Sequence, residues 1–340
     1  MTGRVSYLGE GAMVACTLIY AIEALCAKVV EVTVPSLELV TFRSVVAGML
    51  TLMVSFKMNR NLSWRERFFG RAWKLVVARG LLGGVAFSFL YSALHYIDIG
   101  EQTALFFSYP VLISTFALPV LGERAGPAIL FALACGCLGT LVVSRGHRRN
   151  DTNDNSSRNH VIGVTLTLLA SVFTAFAYLA IRVAGKRASP LTLAFAFHFS
   201  SSLIGIAGLL FGPQRFRMPS LKEDLPLMCL VSCTSLLGQP LLNYAYRAMP
   251  ASRAASLNYL QVLFGFLLGA AFLHERPGGL EIAGAVLISC GGLVVAYGKK
   301  QETIASPTIS YDSIALSPTS KQQYNIIHPP RSSPSNSVEL

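Results

Sequence analysis

Charged side chains are scarce in this sequence. They make up 13% of the 340 residues, whereas 53% of the residues are hydrophobic. Ordinary soluble domains carry about a quarter charged residues. The few charges are concentrated in short segments such as Lys57 to Lys74, between long apolar stretches. The composition therefore excludes a wholly soluble protein and is typical of an integral, multi-pass membrane protein.

Motifs that carry soluble enzyme chemistry are also missing. The chain has no HExxH zinc motif, no nucleophile elbow, no paired metal ligands and no glycine loop that would cradle a phosphate. We therefore predict that the protein is not an enzyme, that it does not hydrolyse ATP, and that it has no cofactor and no metal site. Polar segments also lack cysteine, since all seven cysteines lie in apolar stretches. That placement excludes an extracellular disulfide framework.

The basic charge of the chain fits a membrane surface. A net charge of +11 would suggest nucleic acid in a soluble protein, but basic loops in a membrane protein face anionic lipid on the cytoplasmic side. We therefore predict a lipid bilayer, and no nucleic acid, as a partner. Lys57 to Lys74 contains six Lys and Arg residues, whereas Glu31 to Ser36 and Ile97 to Glu101 contain none. This bias predicts a cytoplasmic N-terminus, in either the plasma membrane or an endomembrane.

Ten apolar runs are long enough to cross a bilayer as helices. The predicted fold class is thus an all-α membrane protein of about ten transmembrane helices, which puts the C-terminus on the cytoplasmic side too. The runs in the first half are Gly9 to Val30, Leu37 to Phe56, Leu75 to Tyr96, Thr103 to Leu121 and Pro127 to Ser144. The runs in the second half are Val161 to Ile181, Leu191 to Phe211, Leu225 to Tyr246, Ser252 to Phe272 and Gly279 to Tyr297.

An internal repeat relates the two halves. A shift of 152 positions aligns Tyr91 to Gly146 with Asn243 to Gly298 without a gap, with 11 identical pairs in 56. The identities cluster where LGERAG matches LHERPG, and again near Gly139 and Gly291. We therefore predict a first repeat at 1–146, a polar linker at 147–160, a second repeat at 161–298 and a disordered cytoplasmic tail at 299–340.

Five helices per repeat imply inverted copies. An odd number of spans forces the second copy to insert with the opposite orientation, related to the first by an axis in the membrane plane. Two such halves can exchange conformations around one central site, which is the arrangement of alternating-access carriers. The repeat therefore predicts a secondary transporter with a small-molecule substrate.

These residues resemble the EamA-type branch of the drug/metabolite transporter superfamily, over about Leu8 to Gly298. The resemblance rests on the two ER-containing turns, on TFRS after Pro35, and on the tract from Ala245 to Pro277. ARGLLGG at Ala78 to Gly84 is more similar to eukaryotic members related to nucleotide-sugar carriers. The resemblance implies ten helices, a central cavity between the repeats, and transport of small metabolites by exchange or with protons.

Ionisable side chains inside the predicted spans are candidate site residues, because burying a charge in a membrane is costly. Glu23 could bind a proton, or form a fixed ion pair with Arg43 or Arg79. The two arginines could hold an anionic substrate, although Arg79 is predicted near the cytoplasmic end of its helix, where an interfacial position is favoured. His198, which aligns with Arg43, could couple protons or bond a neighbouring helix.

A polar cluster is predicted where the eighth and ninth spans meet. It could line a hydrogen-bonding substrate pocket or hold the two helices together. Its members are Gln239, Asn243, Tyr244, Asn258, Tyr259 and Gln261.

One alternative function stays open at this point. The protein could be a non-transport membrane adaptor that acts through its tail, where Tyr311 and Tyr324 begin sequences that resemble tyrosine-based sorting signals. Sorting adaptors at this tail are therefore predicted as partners, as is a second copy of the chain in a homodimer.

Overall fold

The computed structural model describes residues 2–58, 68, 70–93, 96–97, 99–146, 156–211, 216–272 and 278–297. The predicted tail lies outside these residues, as does most of the predicted linker. Helices of the first half are α1 (Thr2–Val30), α2 (Ser36–Met58), α3 (Trp73–Ala93), α4 (Ile99–Phe106), α5 (Tyr109–Leu121) and α6 (Pro127–Gly146). Helices of the second half are α7 (Ser156–Ala184), α8 (Pro190–Phe211), α9 (Asp224–Ala248), α10 (Ala251–Asn258), α11 (Leu260–Phe272) and α12 (Gly279–Tyr297).

The predicted fold class is confirmed. Within the described residues, seven segments are long and apolar enough to cross a membrane, and three shorter apolar helices complete the ten spans. Short helices α4 and α5 together occupy the fourth span, and α10 and α11 occupy the ninth. Helix α7 begins at Ser156, inside the predicted linker. The division into repeats, linker and tail stays a prediction.

The fourth and ninth spans each contain a short break between two helices. The fourth span is interrupted at Phe107 and Ser108, where Pro110 lies in the first turn of α5. Proline has no N–H, so it cannot continue the ladder of i to i−4 hydrogen bonds. The ninth span is interrupted at Tyr259, which the shift of 152 positions aligns with Phe107. The two interruptions are therefore equivalent positions of the two halves.

Side chains bind the carbonyl groups left free at the first interruption. The Ser171 hydroxyl on α7 donates to the carbonyl oxygen of Phe106 at 3.0 Å, and the Tyr259 hydroxyl donates to that of Phe107 at 2.9 Å. Unpaired backbone groups cost several kcal/mol in a bilayer, so an interruption at this depth requires such partners. The Tyr259 bond also links the two interruptions directly.

Helices of one half pack mainly against helices of the other. The pairs in contact include α1 with α9, α2 with α8, α3 with α7 and α6 with α12. Between α6 and α12 the aligned glycines Gly139 and Gly291 both lie at the contact: Gly139 faces Gly284 and Ile288, and Gly291 faces Ala132 and Cys135. Small residues at such contacts let helices approach closely in a membrane. The core therefore lies between the halves.

We expect Gly139→Ala to destabilise the α6–α12 contact. A Cβ atom at this position would lie 2.7 Å from the Gly284 carbonyl oxygen and from Ile288 Cγ1. Overpacking of this kind costs about 1–3 kcal/mol, so the thermal unfolding temperature in detergent should fall. The matched control is Gly265→Ala on α11, where nothing lies within 4 Å of the added Cβ. An equal effect of both changes would contradict the close contact.

Candidate functional site

Arg79 lies at the centre of the contact between the halves. Its side chain starts from α3, is 1% exposed, and donates from Nη2 to the Gln239 side-chain oxygen on α9 at 2.9 Å. The guanidinium carbon is 4.8 Å from the centre of the Phe197 ring and 5.5 Å from that of Tyr178. Among the described residues no carboxylate pairs with it. Partners from α7, α8 and α9 therefore enclose Arg79 within the protein, and its position near the cytoplasmic end of α3 stays a prediction.

A continuous series of aromatic rings extends from Arg79. Tyr178 lies 4.8 Å from Tyr246 and 5.6 Å from Tyr109, measured between ring centres. Tyr109 lies 5.6 Å from Phe107, and Phe107 lies 6.1 Å from Tyr259. We call these five rings and Phe197 the aromatic wall. It connects the guanidinium to both helix interruptions.

Glu23 and Arg43 form a buried ion pair. Arg43 Nη1 on α2 donates to Glu23 Oε1 on α1 at 2.5 Å, and the two side chains are 4% and 9% exposed. The Arg43 guanidinium also lies 5.0 Å from the ring centre of Phe87. Glu23 Oε2 and two nitrogens of Arg43 have no hydrogen-bond partner. Of the two partners considered for Glu23, the structure shows Arg43.

His198 is completely buried on α8. The centre of its imidazole ring lies 5.3 Å from that of Phe197, and its Cβ faces Gly48 on α2. Neither ring nitrogen has a hydrogen-bond partner. The expected hydrogen bond to a neighbouring helix is therefore not formed in this structure.

The predicted polar cluster is divided among separate contacts. Asn258 donates to the Tyr246 hydroxyl at 2.9 Å, and Asn243 donates to the Pro190 carbonyl oxygen at 3.0 Å while its own side-chain oxygen stays unpartnered. Tyr244 and Gln261 are only partly buried. Of the six residues, only Gln239 contacts Arg79 directly.

Polar contacts close the end of the bundle that carries the α5–α6 turn, which we call the Glu123 face. Glu123 accepts from Arg182 Nη2 at 2.6 Å and from the backbone N–H of Ala251 at 2.8 Å, where α10 begins. Arg182 also donates to the Arg247 carbonyl oxygen at 3.1 Å. These contacts join the α5–α6 turn to α7, α9 and α10. A carboxylate at the first N–H of α10 also complements its helix dipole.

The opposite end, the Asp224 face, is closed by a second set of contacts. Asp224 accepts from the Thr33 hydroxyl at 2.6 Å and from the Ser220 N–H at 2.7 Å. Glu38 accepts from the Arg217 N–H at 2.9 Å. Arg79 is 1% exposed and lies between these two ends of the bundle.

We expect folding stability to depend on pH because of Glu31, which lies just past the end of α1. Burial raises its pKa from 4.5 to about 7, against the opposing effect of Arg43. The folded chain then binds a proton more tightly than the unfolded chain, so folding stability falls as pH rises from about 4.5 to about 7. Glu31→Gln should flatten this part of the unfolding-temperature curve between pH 5 and 8, whereas Glu223→Gln, an exposed control, should not. Identical curves for Glu31→Gln and the wild type would refute the assignment.

Comparison with known proteins shows the family of this chain. The model of the EamA-like transporter family matches residues 7–145 and, a second time, residues 161–297. The chain belongs to the EamA-like transporter family. An uncharacterized transporter of Helicobacter pylori is 26% identical, over 85% of this chain and 94% of its own length. The pseudopaline exporter CntI of Pseudomonas aeruginosa is 26% identical, over 80% of this chain and 90% of its own.

More distant matches agree with this membership. The human solute carrier family 35 member G1 is 22% identical, over 66% of this chain and 62% of its own length. A solved crystal structure superposes with a TM-score of 0.70 at 21% identity, over 86% of this chain and 98% of its own length, which shows the fold. The EamA-like membership confirms the family resemblance found in the sequence. The closer similarity of ARGLLGG to eukaryotic members stays a prediction.

Sequence reasoning did not identify the aromatic wall of this EamA-like transporter. Tyr178, Phe197 and Tyr246 lie in apolar runs, where aromatic residues are common and carry no signal of their own. Tyr259 was included in the predicted polar cluster, and a similar signal was available at Tyr109, since tyrosine in the middle of a span must bring its hydroxyl to a polar partner. Both lie within or beside the interruptions that the sequence also did not reveal.

Proposed function

We propose that this EamA-like transporter is a secondary carrier of a small anionic metabolite, and that the anion binds Arg79. The observation that supports it is a guanidinium that is 1% exposed and has no carboxylate partner among the described residues. An uncompensated charge in a membrane interior is costly. An anionic substrate would remove that cost in each transport cycle. The exporter and transporter names of the relatives agree with a carrier.

Alternating access is the mechanism that this geometry supports best. The Glu123 and Asp224 faces lie at opposite ends of the bundle, and each is closed by hydrogen bonds that can break without unfolding a helix. Opening one face while the other stays closed would expose Arg79 to one side of the membrane at a time. In a protein with inverted repeats, one open state becomes the other when the two halves swap conformations. The two open states therefore have similar energies.

The Glu23–Arg43 pair is the candidate for proton coupling. Protonation of Glu23 would release Arg43, whose guanidinium already has two nitrogens without a hydrogen-bond partner. His198 packs against Phe197, whose ring also contacts the Arg79 guanidinium, so it is the second candidate for proton coupling. The alternative is exchange of solutes without proton coupling, in which Glu23 keeps the same protonation state throughout the cycle.

The test is solute efflux from liposomes that contain the purified chain and a mixed metabolite extract, followed by mass spectrometry. The carrier proposal predicts that a few acidic solutes leave faster than from protein-free liposomes. It also predicts the same solutes and rates for a chain that ends at Gly298, since the proposal assigns transport to the helices alone. An absence of protein-dependent efflux would refute the carrier and favour the adaptor function of the tail.

A further inference from the structure

The charge around Arg79 sets a limit on the charge of its ligand. In the described interior, Arg43 is neutralised by Glu23 at 2.5 Å, whereas Arg79 has an amide oxygen and two aromatic rings as its neighbours. One positive charge is therefore uncompensated. A ligand with one negative charge balances it, whereas a second or third negative charge would be buried without a partner, at a large cost.

The guanidinium has a free donor for a carboxylate. Nη2 is used by Gln239, and Nε has no hydrogen-bond partner. The N–H groups of a guanidinium lie in its plane, so an anion must approach its rim rather than its face. A planar carboxylate makes hydrogen bonds of this geometry well.

Aromatic rings are the main neighbours of Arg79. Rings reach it from α7 and α8, and the aromatic wall continues through Tyr246 and Tyr109 to the interruptions. Two hydroxyls of the wall are already used within the protein, Tyr246 by Asn258 and Tyr259 by Phe107. The wall therefore offers mainly ring faces and edges, which pack against another ring at 4.5–7 Å between centres.

We infer that the Arg79 site takes a monocarboxylate whose carboxylate is attached to an aromatic ring system. This inference rests on the proposed carrier function and adds the chemical class of the substrate. The carboxylate binds the free edge of Arg79, and the ring packs against Phe197 and Tyr178. The alternative is that the rings only fill the core, in which case the site does not distinguish aromatic from aliphatic acids.

Equilibrium dialysis of labelled benzoate against the detergent-purified full chain tests the proposed class of ligand. It measures binding directly, so leakage across a membrane does not contribute. Unlabelled competitors are indole-3-carboxylate, acetate, succinate and inorganic phosphate. We expect indole-3-carboxylate to compete at least about ten-fold better than acetate, which is the effect of one aromatic contact. Succinate and phosphate should compete no better than acetate.

Two matched variants test whether the aromatic wall causes the preference for aromatic acids over acetate. Phe197→Leu should lower the preference for the aromatic acid over acetate by about ten-fold. Phe199→Leu, on the same helix at a side chain 53% exposed on the outer surface, should leave it unchanged. Because the readout is a ratio of two ligands on the same sample, partial unfolding of either variant does not imitate the result.

The outcomes separate the inference from the proposed function. Equal competition by acetate, or stronger competition by succinate or phosphate, overturns the aromatic class and leaves an anion carrier. A Phe197→Leu chain with the wild-type ratio overturns the role of the wall. Benzoate that does not bind, while the efflux experiment identifies other anions, overturns the inference alone; no efflux of any solute overturns both.

Discussion

Arg79→Lys is expected to reduce anion efflux by about a hundred-fold or more. Lysine keeps the charge but replaces a planar fork with a flexible ammonium that cannot bind a carboxylate at two points or stack on Phe197 and Tyr178. Hydrogen bonds to charged groups contribute about 1.5–3 kcal/mol, and each 1.4 kcal/mol is about ten-fold. The measurement is the efflux rate of the acidic solutes from liposomes at equal protein content.

The matched control for this change is Lys222→Gln, which removes a positive charge from an exposed position. It should transport at the wild-type rate, because its side chain is exposed and takes no part in the hydrogen bonds described for the Asp224 face. Unfolding temperatures separate lost binding from lost folding, since Arg79→Lys keeps most of the buried volume. Wild-type efflux by Arg79→Lys would contradict a forked contact with the substrate.

Glu23→Gln is expected to lower the free energy of unfolding by about 3–5 kcal/mol. The change leaves Arg43 charged, 4% exposed and without its carboxylate. Removal of both charges in Glu23→Gln/Arg43→Met should recover most of the loss, because no unpaired charge is then buried. Thermal unfolding of the wild type, both single variants and the double variant forms a double-mutant cycle that isolates the pair.

The same four chains test the coupling role of the pair. If Glu23 carries the proton, the double variant should fold and exchange solutes but no longer respond to an imposed pH gradient. Glu223→Gln on the exposed loop should keep the wild-type response. A double variant that responds to the gradient like the wild type would assign the pair a purely structural role.

Span positions were accessible from the sequence because lipid imposes a simple rule. About twenty apolar residues are needed to cross the hydrocarbon core, and α8 and α12 begin and end within a residue of their predicted bounds. The internal repeat could also be predicted from the sequence, because the two ER-containing turns have similar residues. The interruptions at Phe107 and Tyr259 were not, because composition stays apolar through them and only Pro110 marks one of them.

Site residues were predictable as candidates but not as partners. Burial cost identifies Glu23, Arg43 and Arg79 as unusual residues from the sequence alone. Which of the arginines meets Glu23 depends on how α1, α2 and α3 pack, and Arg79 is interior because α7, α8 and α9 enclose it rather than because of its place along α3. Tertiary packing of this kind leaves no local signal.

The most direct test of alternating access at Arg79 is the labelling of Arg79→Cys in liposomes by a charged, membrane-impermeant thiol reagent. The reagent is applied from one side or the other, and mass spectrometry of the peptide that contains position 79 locates the label. Wild-type protein gives the background from the seven native cysteines. A site that opens alternately to the two faces predicts labelling from both sides of the membrane. Labelling from one side only, or from neither, would contradict the account.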